Sequence, residues 1–518
     1  MAYPEVLIPP GVCPVSPTEP QLIDDQTTVF VPRFGRGYSQ RQTWGDPMWG
    51  WKVRFEGLSQ SDRAALRRVV VGARGKAANI RMTPGLPLRG SFPATELLTN
   101  NDFSNGTTGW SGGGSWALSS TDRIARATRT ANTGAGNPIL TSSPLTITQY
   151  APYVLRYFIS GSSEAFSSGH QPTYSAVTNI GTASLTSGMA TGSVVRSETS
   201  VYPAISLFDT DKSAGTFIDV SWFSHSRCAL VDNGPNALTY SDQFDNAAWV
   251  KSNTSVTANS TVSPDGTTTA DTITASNSSH SISQGYTVSS AAADQACAFR
   301  VKAGSQSWVS IGMTDNVLGN VSVFVNLSTG AQGTLSAGTG WSNGRAFICN
   351  DGNGWYRVAL VARKTGASTS IAAVAQVASA DNTLAASGTI YLWRGGAFPS
   401  SVPFRPAQTT TTATTGTAQT GSRLYLKGLP ASTSGLLLAG DFFEINGELK
   451  QCTASLDSDA AGLGLVQFGP GMAVSPADND PVIILNPMGR FTFAGDPRIS
   501  ERFGVYTDVE MDLVESYS

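Results

Sequence analysis

GRGYSQRQTWGDPMWGWKVRFEGLSQSDRAALRRVVVGARGKAANIRM, residues 35–82, packs aromatic, basic and helical signals more densely than any other stretch of the chain. Trp44, Trp49 and Trp51 lead into Lys52-Val53-Arg54-Phe55, whose alternation is that of a half-buried strand. A helix follows. Ser59-Gln60-Ser61-Asp62 has the pattern of a capping box, Ala65, Leu66, Val69 and Val70 line one apolar face, and Gly72 offers a left-handed stop. Ala78 to Met82 then reads as a second strand.

Outward from this stretch the composition changes. With 518 residues the chain has room for several domains; its 53 glycines, 14% charged residues and lack of helical periodicity after Gly72 indicate a mainly β protein. The expected architecture is a split β-rich body with one short helix, two inserted β-sandwich (jelly-roll) modules and a C-terminal β-barrel-like part. A net charge of −3 argues against specific nucleic acid as a partner, and no apolar run reaches the ~18–20 residues of a membrane span. Met1-Ala-Tyr-Pro-Glu has neither the basic start nor the apolar core of a signal peptide. Cys13, Cys228, Cys297, Cys349 and Cys452 lack metal-ligand spacing and read as thiols of a protein assembled in a reducing cytosol.

Residues 1–93, an extended arm with Pro4, Pro9, Pro10, Pro14 and Pro17 followed by the stretch quoted above, form one half of the expected body. Between Arg33 and Arg89 there are twelve Lys/Arg against three Asp/Glu, and between Leu424 and Ser518 thirteen Asp/Glu against five Lys/Arg. Complementary excesses at the two ends are better satisfied by each other than by nucleic acid. In residues 423–518, which complete the body, Asn446-Gly447 marks a tight hairpin. Val505 to Val514 alternates apolar with acidic residues, as a strand with one buried and one acidic face would.

The intervening region contains a repeat. Leu98-Thr99 precedes Phe103, Asn105 and Trp110, and Leu238-Thr239 precedes Phe244, Asn246 and Trp249, with starts 140 residues apart. Ala214-Gly-Thr-Phe-Ile before Trp222 matches Ser387-Gly-Thr-Ile-Tyr before Trp393. The expected modules are 96–234 and 235–406, followed by a Thr-rich linker or surface-hugging strand at 407–422. If both are insertions, removing 96–405 with a short bridge leaves a body that still assembles.

Catalytic signatures are scarce: there is no Gly-x-Ser-x-Gly elbow, no His-Glu-x-x-His helix and no phosphate loop. His170, His225 and His280 sit in polar, Ser-rich segments and are expected at the surface. Asp102, Asp242 and Asp245 have the ligand type for a structural calcium ion, although turn formation accounts for them better; no other cofactor is expected. Trp308, Trp341, Trp249 and Trp116 are candidate sugar contacts, because an indole can stack on the C–H face of a sugar while nearby Ser, Asn and Gln meet its hydroxyls. Core packing remains the competing reading for each.

Gly35-Arg-Gly, Arg41, Trp44, Pro47 and Trp51-Lys-Val-Arg-Phe, with Gly440-Asp-Phe-Phe-Glu-Ile-Asn-Gly and Pro487-Met-Gly-Arg-Phe-Thr-Phe near the other end, resemble the distal (minor) tail proteins of long-tailed bacteriophages. Leu238-Thr-Tyr-Ser-Asp-Gln-Phe-Asp-Asn-Ala-Ala-Trp249, Pro264-Asp-Gly-Thr and Gly354-Trp-Tyr-Arg resemble the carbohydrate-binding-like jelly-roll modules of phage tail and fibre proteins. The resemblance implies a non-enzymatic virion protein of the tail tip, assembled in the host cytoplasm into a ring, commonly a homo-hexamer. Its implied partners are tail-tube and tail-tip hub proteins and host-surface polysaccharide, with Arg36, Arg41, Trp44, Trp49 and Trp51 as candidate interface residues. A glycan depolymerase or hydrolase carried on the virion, or a bacterial surface adhesin, are the alternatives.

Overall fold

The computed structural model describes residues 5–8, 20–23, 27–30, 40–43, 48–56, 58, 60–73, 79–84, 86–112, 116–121, 123–130, 138–162, 166–173, 176–183, 188–206, 214–315, 317–472, 474–494, 497–502 and 506–516. The chain is mainly β, with a single α-helix among the described residues.

The two ends of the chain share one sheet. Its strands run in the order Glu5–Leu7, Asn79–Met82, Gly489–Phe493, Tyr506–Glu515, Met48–Phe55 and Gln21–Ile23, with Arg498–Arg502 paired to Tyr506–Glu515. The basic and acidic excesses meet in register, Arg54 opposite Glu510 and Lys52 opposite Asp512. Arg54 Nε lies 3.6 Å from Glu510 Oε1 on an exposed face, where such a pair contributes little to stability. The opposite face provides the packing energy: Trp49, Trp51, Val53 and Phe55 join Val509, Met511 and Leu513 in a core capped by Leu66 and Val69 of the helix Gln60–Ala73. The helix runs through Gly72 before ending, one residue beyond the expected stop; Ser59 lies outside the described residues. Asp62, in its first turn, also binds Arg123 of the first sandwich at 2.8 Å.

A closed six-stranded barrel adjoins this sheet. Phe442–Ile445 and Glu448–Cys452 form the hairpin, with Asn446 at φ 52° and Gly447 at φ 79°, as a two-residue turn with two left-handed positions requires. Gly421–Lys427, Gly464–Met472 and Pro481–Ile483 supply three more strands. The sixth comes from elsewhere. Ala229–Val231, expected to end the first module, pairs with Leu426 and Lys427 on one side and Pro481 and Val482 on the other, closing the barrel.

Two sandwiches fill the middle of the sequence. In the first, one sheet is ordered Gly188–Val195, Pro152–Ser162, Phe217–Arg227, Ile124–Arg129, Trp116–Thr121, and the other contains Ala176–Ala183, Phe166–Thr173, Ser200–Ser206, Pro138–Ser142 and Trp110–Ser111. In the second, the outer sheet is Val250–Ser252, Ser281–Thr287, Ser370–Ala380, Trp308–Asp315, Gly319–Asn326, Ala331–Ala337, with Thr383–Leu384 added beside Ser370–Ala380. The barrel-facing sheet is Thr254–Thr261, Ala270–Ala275, Gly388–Phe398, Ala293–Ala303, Trp355–Lys364, Trp341–Gly352. The repeat has a shared geometry. Phe103 packs on Trp110 at 5.3 Å and Phe244 on Trp249 at 4.7 Å. The Trp110 indole donates to Asn100 O and the Trp249 indole to Tyr240 O, each acceptor two residues past the repeat's leucine. The opening segment of each sandwich also bonds to its last long strand, through Leu97 N to His225 O and Ala237 N to Ala397 O.

The first sandwich is locked to the other parts. Arg156, within its central strand, lies 5.0 Å above the Trp222 ring and donates to Glu444 of the barrel at 2.9 Å; Arg81 of the end-built sheet approaches the same carboxylate at 3.6 Å. Phe158 and Trp222 also pack on Leu7 and Met488. The second sandwich departs and returns at one point, where Ala407 N donates to Gly234 O at 3.1 Å and Arg405 N to Asp232 at 2.8 Å. The Thr-rich tract hugs it, Thr409 bonding Leu238 O and Ser241 and Thr414 bridging Asn236.

Excision follows from this wiring. Replacing 235–406 by a two- or three-residue bridge leaves every barrel strand in place, whereas removing 96–405 also deletes Ala229–Val231 and opens the barrel, against the expectation from sequence. Circular dichroism and thermal unfolding of the two shortened proteins are expected to show a cooperative β fold for the first deletion and none for the second.

Candidate functional site

The second sandwich docks by one face. Arg357 on its barrel-facing sheet pairs with Asp459, Cys349 packs on Ala461 and Leu463, and Arg345 lies 3.6 Å above the Tyr150 ring of the first sandwich. Its other sheet is thereby turned away from the barrel. A groove of about 220 Å³ crosses that sheet, lined by the outward side chains of Ser281, Ser283, Thr314, Asn320, Ser322, Val374 and Gln376 over Gly312. Gly312 is required there, since a Cβ would stand 2.6 Å from Val321 O and 3.1 Å from Ser322 Cβ. Strand alternation makes the site: Ile282, Ile311, Val321, Val323, Ala375 and Val377 fill the core from one face, and the lining set is what the other face presents.

Trp308 begins the third of these groove strands, four residues before Gly312, and stands half-buried opposite Asn326. Its indole lies against Gly333, where a Cβ would come within 2.8 Å of the ring, and Asp381 fastens the adjoining Thr334 through its N–H at 2.7 Å and its hydroxyl at 3.0 Å. Of the four tryptophans read as sugar contacts, Trp308 alone belongs to the outer sheet, and it lies outside the groove lining. Trp249 is 1% exposed between Phe244 and Phe299, and Trp341 is 5% exposed with its indole donating to Gly319 O at 3.0 Å; both are core. Trp116 is half-buried against the core of the first sandwich. Trp49 and Trp51, read as docking residues, are each 2% exposed and form the core beneath the helix. Arg41 contributes backbone to the strand Gln40–Thr43, while its side chain, Arg36 and Trp44 lie outside the described residues.

The histidines correct the sequence reading. His225 and His280 are fully buried. His280 Nδ1 donates to Asn277 O at 2.7 Å and Nε2 accepts from Val377 N at 2.7 Å, which fixes its tautomer and gives it a structural role. His225 stacks on Tyr153 at 5.3 Å, and burial pushes its pKa down to about 3. The side chain of His170 is outside the described residues. Of the carboxylates considered for calcium, Asp242 takes two bonds from Arg394, at 3.2 and 3.0 Å, and Asp102 binds Arg123. Among the described residues no group of three or more His, Cys, Asp and Glu is placed to hold a metal ion. Cys228, Cys297, Cys349 and Cys452 are free and buried; Cys13 is outside the described residues.

No family model matches the sequence, and no curated protein matches it. Solved structures similar to the chain include the N-terminal tandem of CBM22 modules of Xyn10C from Paenibacillus barcinonensis, at 10% identity and TM-score 0.20, covering 60% of this chain and 99% of that one. They also include the enzymatically active domain of tailspike protein 4 of bacteriophage CBA120, at 13% identity and TM-score 0.21, covering 32% of this chain and 21% of that one. Likenesses with such scores carry no weight for function.

The buried imidazole does have a measurable consequence. Unfolded His225 takes up a proton near pH 6.5 and the folded form only near 3, so the unfolded state binds more protons between these values. Its contribution is present in full above about pH 6.5 and is lost as the pH falls toward 3, by at most about 1.4 kcal/mol per pH unit. Glu96, which accepts the His225 backbone N–H at 3.0 Å, has a carboxyl pKa raised by burial and acts in the opposite sense. Denaturant titrations of wild type and His225→Phe at stepped pH are expected to give a shallower acid loss in the variant; equal slopes would rule out the buried neutral imidazole.

Proposed function

We propose that this chain is a structural protein of a bacteriophage tail tip whose second sandwich holds a host-surface glycan. The observation that carries the glycan part is the groove on the one sheet of that sandwich turned away from the barrel, with Trp308 on the same face, two residues before Ser310 and outside the groove lining. Hydroxyls and amides along the groove suit sugar hydroxyls, and an indole on the same face suits a sugar's C–H face. The lining combines hydrogen-bonding groups with Val374 and holds no carboxylate pair, which supports binding without bond cleavage. The tail-tip part rests on the sequence resemblance, and a body built from both chain ends around inserted sandwiches suits a ring subunit that carries its modules outside the ring. Several weak sites on one ring would act together far more strongly than one.

The test pairs binding with turnover. Incubated with host envelope polysaccharide, the protein is expected to be retained without releasing reducing ends. Trp308→Ala is expected to weaken retention about tenfold, equivalent to about 1.4 kcal/mol, at an unchanged melting temperature. Reducing-end release abolished by a single carboxylate substitution would replace this reading by a depolymerase. In electron micrographs the purified protein is expected to form rings with peripheral lobes, and a monomer at all concentrations would remove the ring.

A further inference from the structure

Charge is distributed unequally between the two sheets of the second sandwich. The six main strands of the barrel-facing sheet carry seven Lys/Arg: Arg300, Lys302, Arg345, Arg357, Arg363, Lys364 and Arg394. Those of the outer sheet carry one, Lys251. Lys251 stands opposite the buried Ile282 and spends its amine on Asn246 O at 2.6 Å and Trp249 O at 3.0 Å. The lone carboxylate of the outer strands, Asp315, sits at a strand end and accepts from Ser368 and from the N–H groups of Val317 and Leu318. Among the described residues of these strands no Lys or Arg is presented on the outer face.

The strand register shows the groove to be part of a longer trough. Val250, Ser283, Val374, Gly312, Ser322 and Ser336 stand opposite one another in one unbroken row across all six strands. Each is small or short, and at ~4.8 Å per strand the row extends about 24 Å. Gln376, Ser310 and Phe324 form the next row on one side, and Ala372, Thr314 and Asn320 the next on the other. The row runs from edge to edge, and Val250 and Ser336, its terminal members, are both exposed.

We propose that the outer sheet binds an uncharged, linear polysaccharide along its length, perpendicular to the strands, rather than an acidic glycan or a chain end. The inference rests on the glycan reading of this site and specifies its ligand. An acidic polymer bound here would lose water around each charge with no Lys or Arg to replace it, a cost that a neutral chain avoids. A trough open at both ends admits internal segments of a chain, whereas recognition of a terminus needs a wall.

The experiment uses the full chain with an uncharged glucan, mannan and galactan beside a polyuronate, a sulfated glycan and a polyphosphate-linked glycan, by affinity electrophoresis and calorimetry at about 50 and about 500 mM salt. Binding to at least one neutral polymer is expected, its Kd changing less than about twofold with salt. Oligosaccharides should gain affinity with length, and the free monosaccharide should not compete. Ser322→Tyr, which obstructs the middle of the trough, and Ser336→Trp, which obstructs its edge, should each reduce affinity about tenfold or more, with melting curves showing both folded. Selective binding of an acidic polymer that fades with salt, or competition by a monosaccharide as strong as by its polymer, would overturn the neutral-chain inference and leave glycan binding intact. Failure of the folded protein to bind any polysaccharide would overturn both.

Discussion

The carboxylate of Glu444 is where the first sandwich, the barrel and the end-built sheet converge. It accepts from Arg156 Nη2 and the Met488 N–H, both at 2.9 Å, and faces Arg81 at 3.6 Å, with Arg156 and Glu444 almost completely excluded from water. Such a charge is tolerated in a low-dielectric interior only while its partners are in place, and removing one typically costs about 3–5 kcal/mol. Because Glu444, Arg156 and Arg81 belong to three different units, none can move away without exposing or stranding a charge. Gly447, in the barrel hairpin, completes the junction: a Cβ there would meet the guanidinium groups of Arg81 and Arg490 within 2.5 and 2.9 Å.

This junction separates the two sandwiches in kind, though they open with the same Leu-Thr, Phe, Asn and Trp pattern. The first shares buried ions with its neighbours and is followed directly by Ala229–Val231, so its chain cannot leave without taking a barrel strand along. The second meets the barrel through Arg357–Asp459 and a small apolar contact, and its ends touch each other. The shared pattern therefore encodes a way of starting a sandwich, with Phe packed on Trp and an indole N–H tied to a nearby carbonyl. It carries no ligand information, which is why Trp249, conspicuous in sequence, proves to be core.

What could be read from sequence was what depends on near neighbours. Asn446-Gly447 specifies its own turn, the alternation at Val509, Met511 and Leu513 specifies its own face, and the Phe and Trp spacing specifies the sandwich openings. The failures all involve distant partners. Ala229–Val231 is three residues long and becomes a strand only because Leu426 and Val482 lie on either side of it. His225 looks polar among serines, yet both faces of its strand are covered. Trp308 and Trp341 both begin strands in Ser- and Gly-rich surroundings, and only the sheet each joins decides which is buried. The trough across the outer sheet was illegible for the same reason: its six members are scattered between Val250 and Val374 of the sequence and meet only through register.

The arrangement also bears on how a weak site can be effective. A module hung from a flexible linker loses orientational freedom whenever it binds, and that loss subtracts from affinity. Here Arg345 over Tyr150, Arg357 on Asp459, Arg405 3.5 Å above the Tyr425 ring and the Thr409 bonds hold the second sandwich at both ends and along one face. Its outer sheet is thus presented at a fixed angle to the first sandwich, which Glu444 fixes in turn to the end-built sheet. In a ring of such subunits every trough would have a set bearing, so a surface displaying repeated glycan chains could engage several at little further entropic cost. Rigid docking through Arg345 and Arg357 on one sheet and an uncharged outer sheet are then two halves of one solution, in which the first holds the second sandwich in position and the second is left open to the proposed ligand.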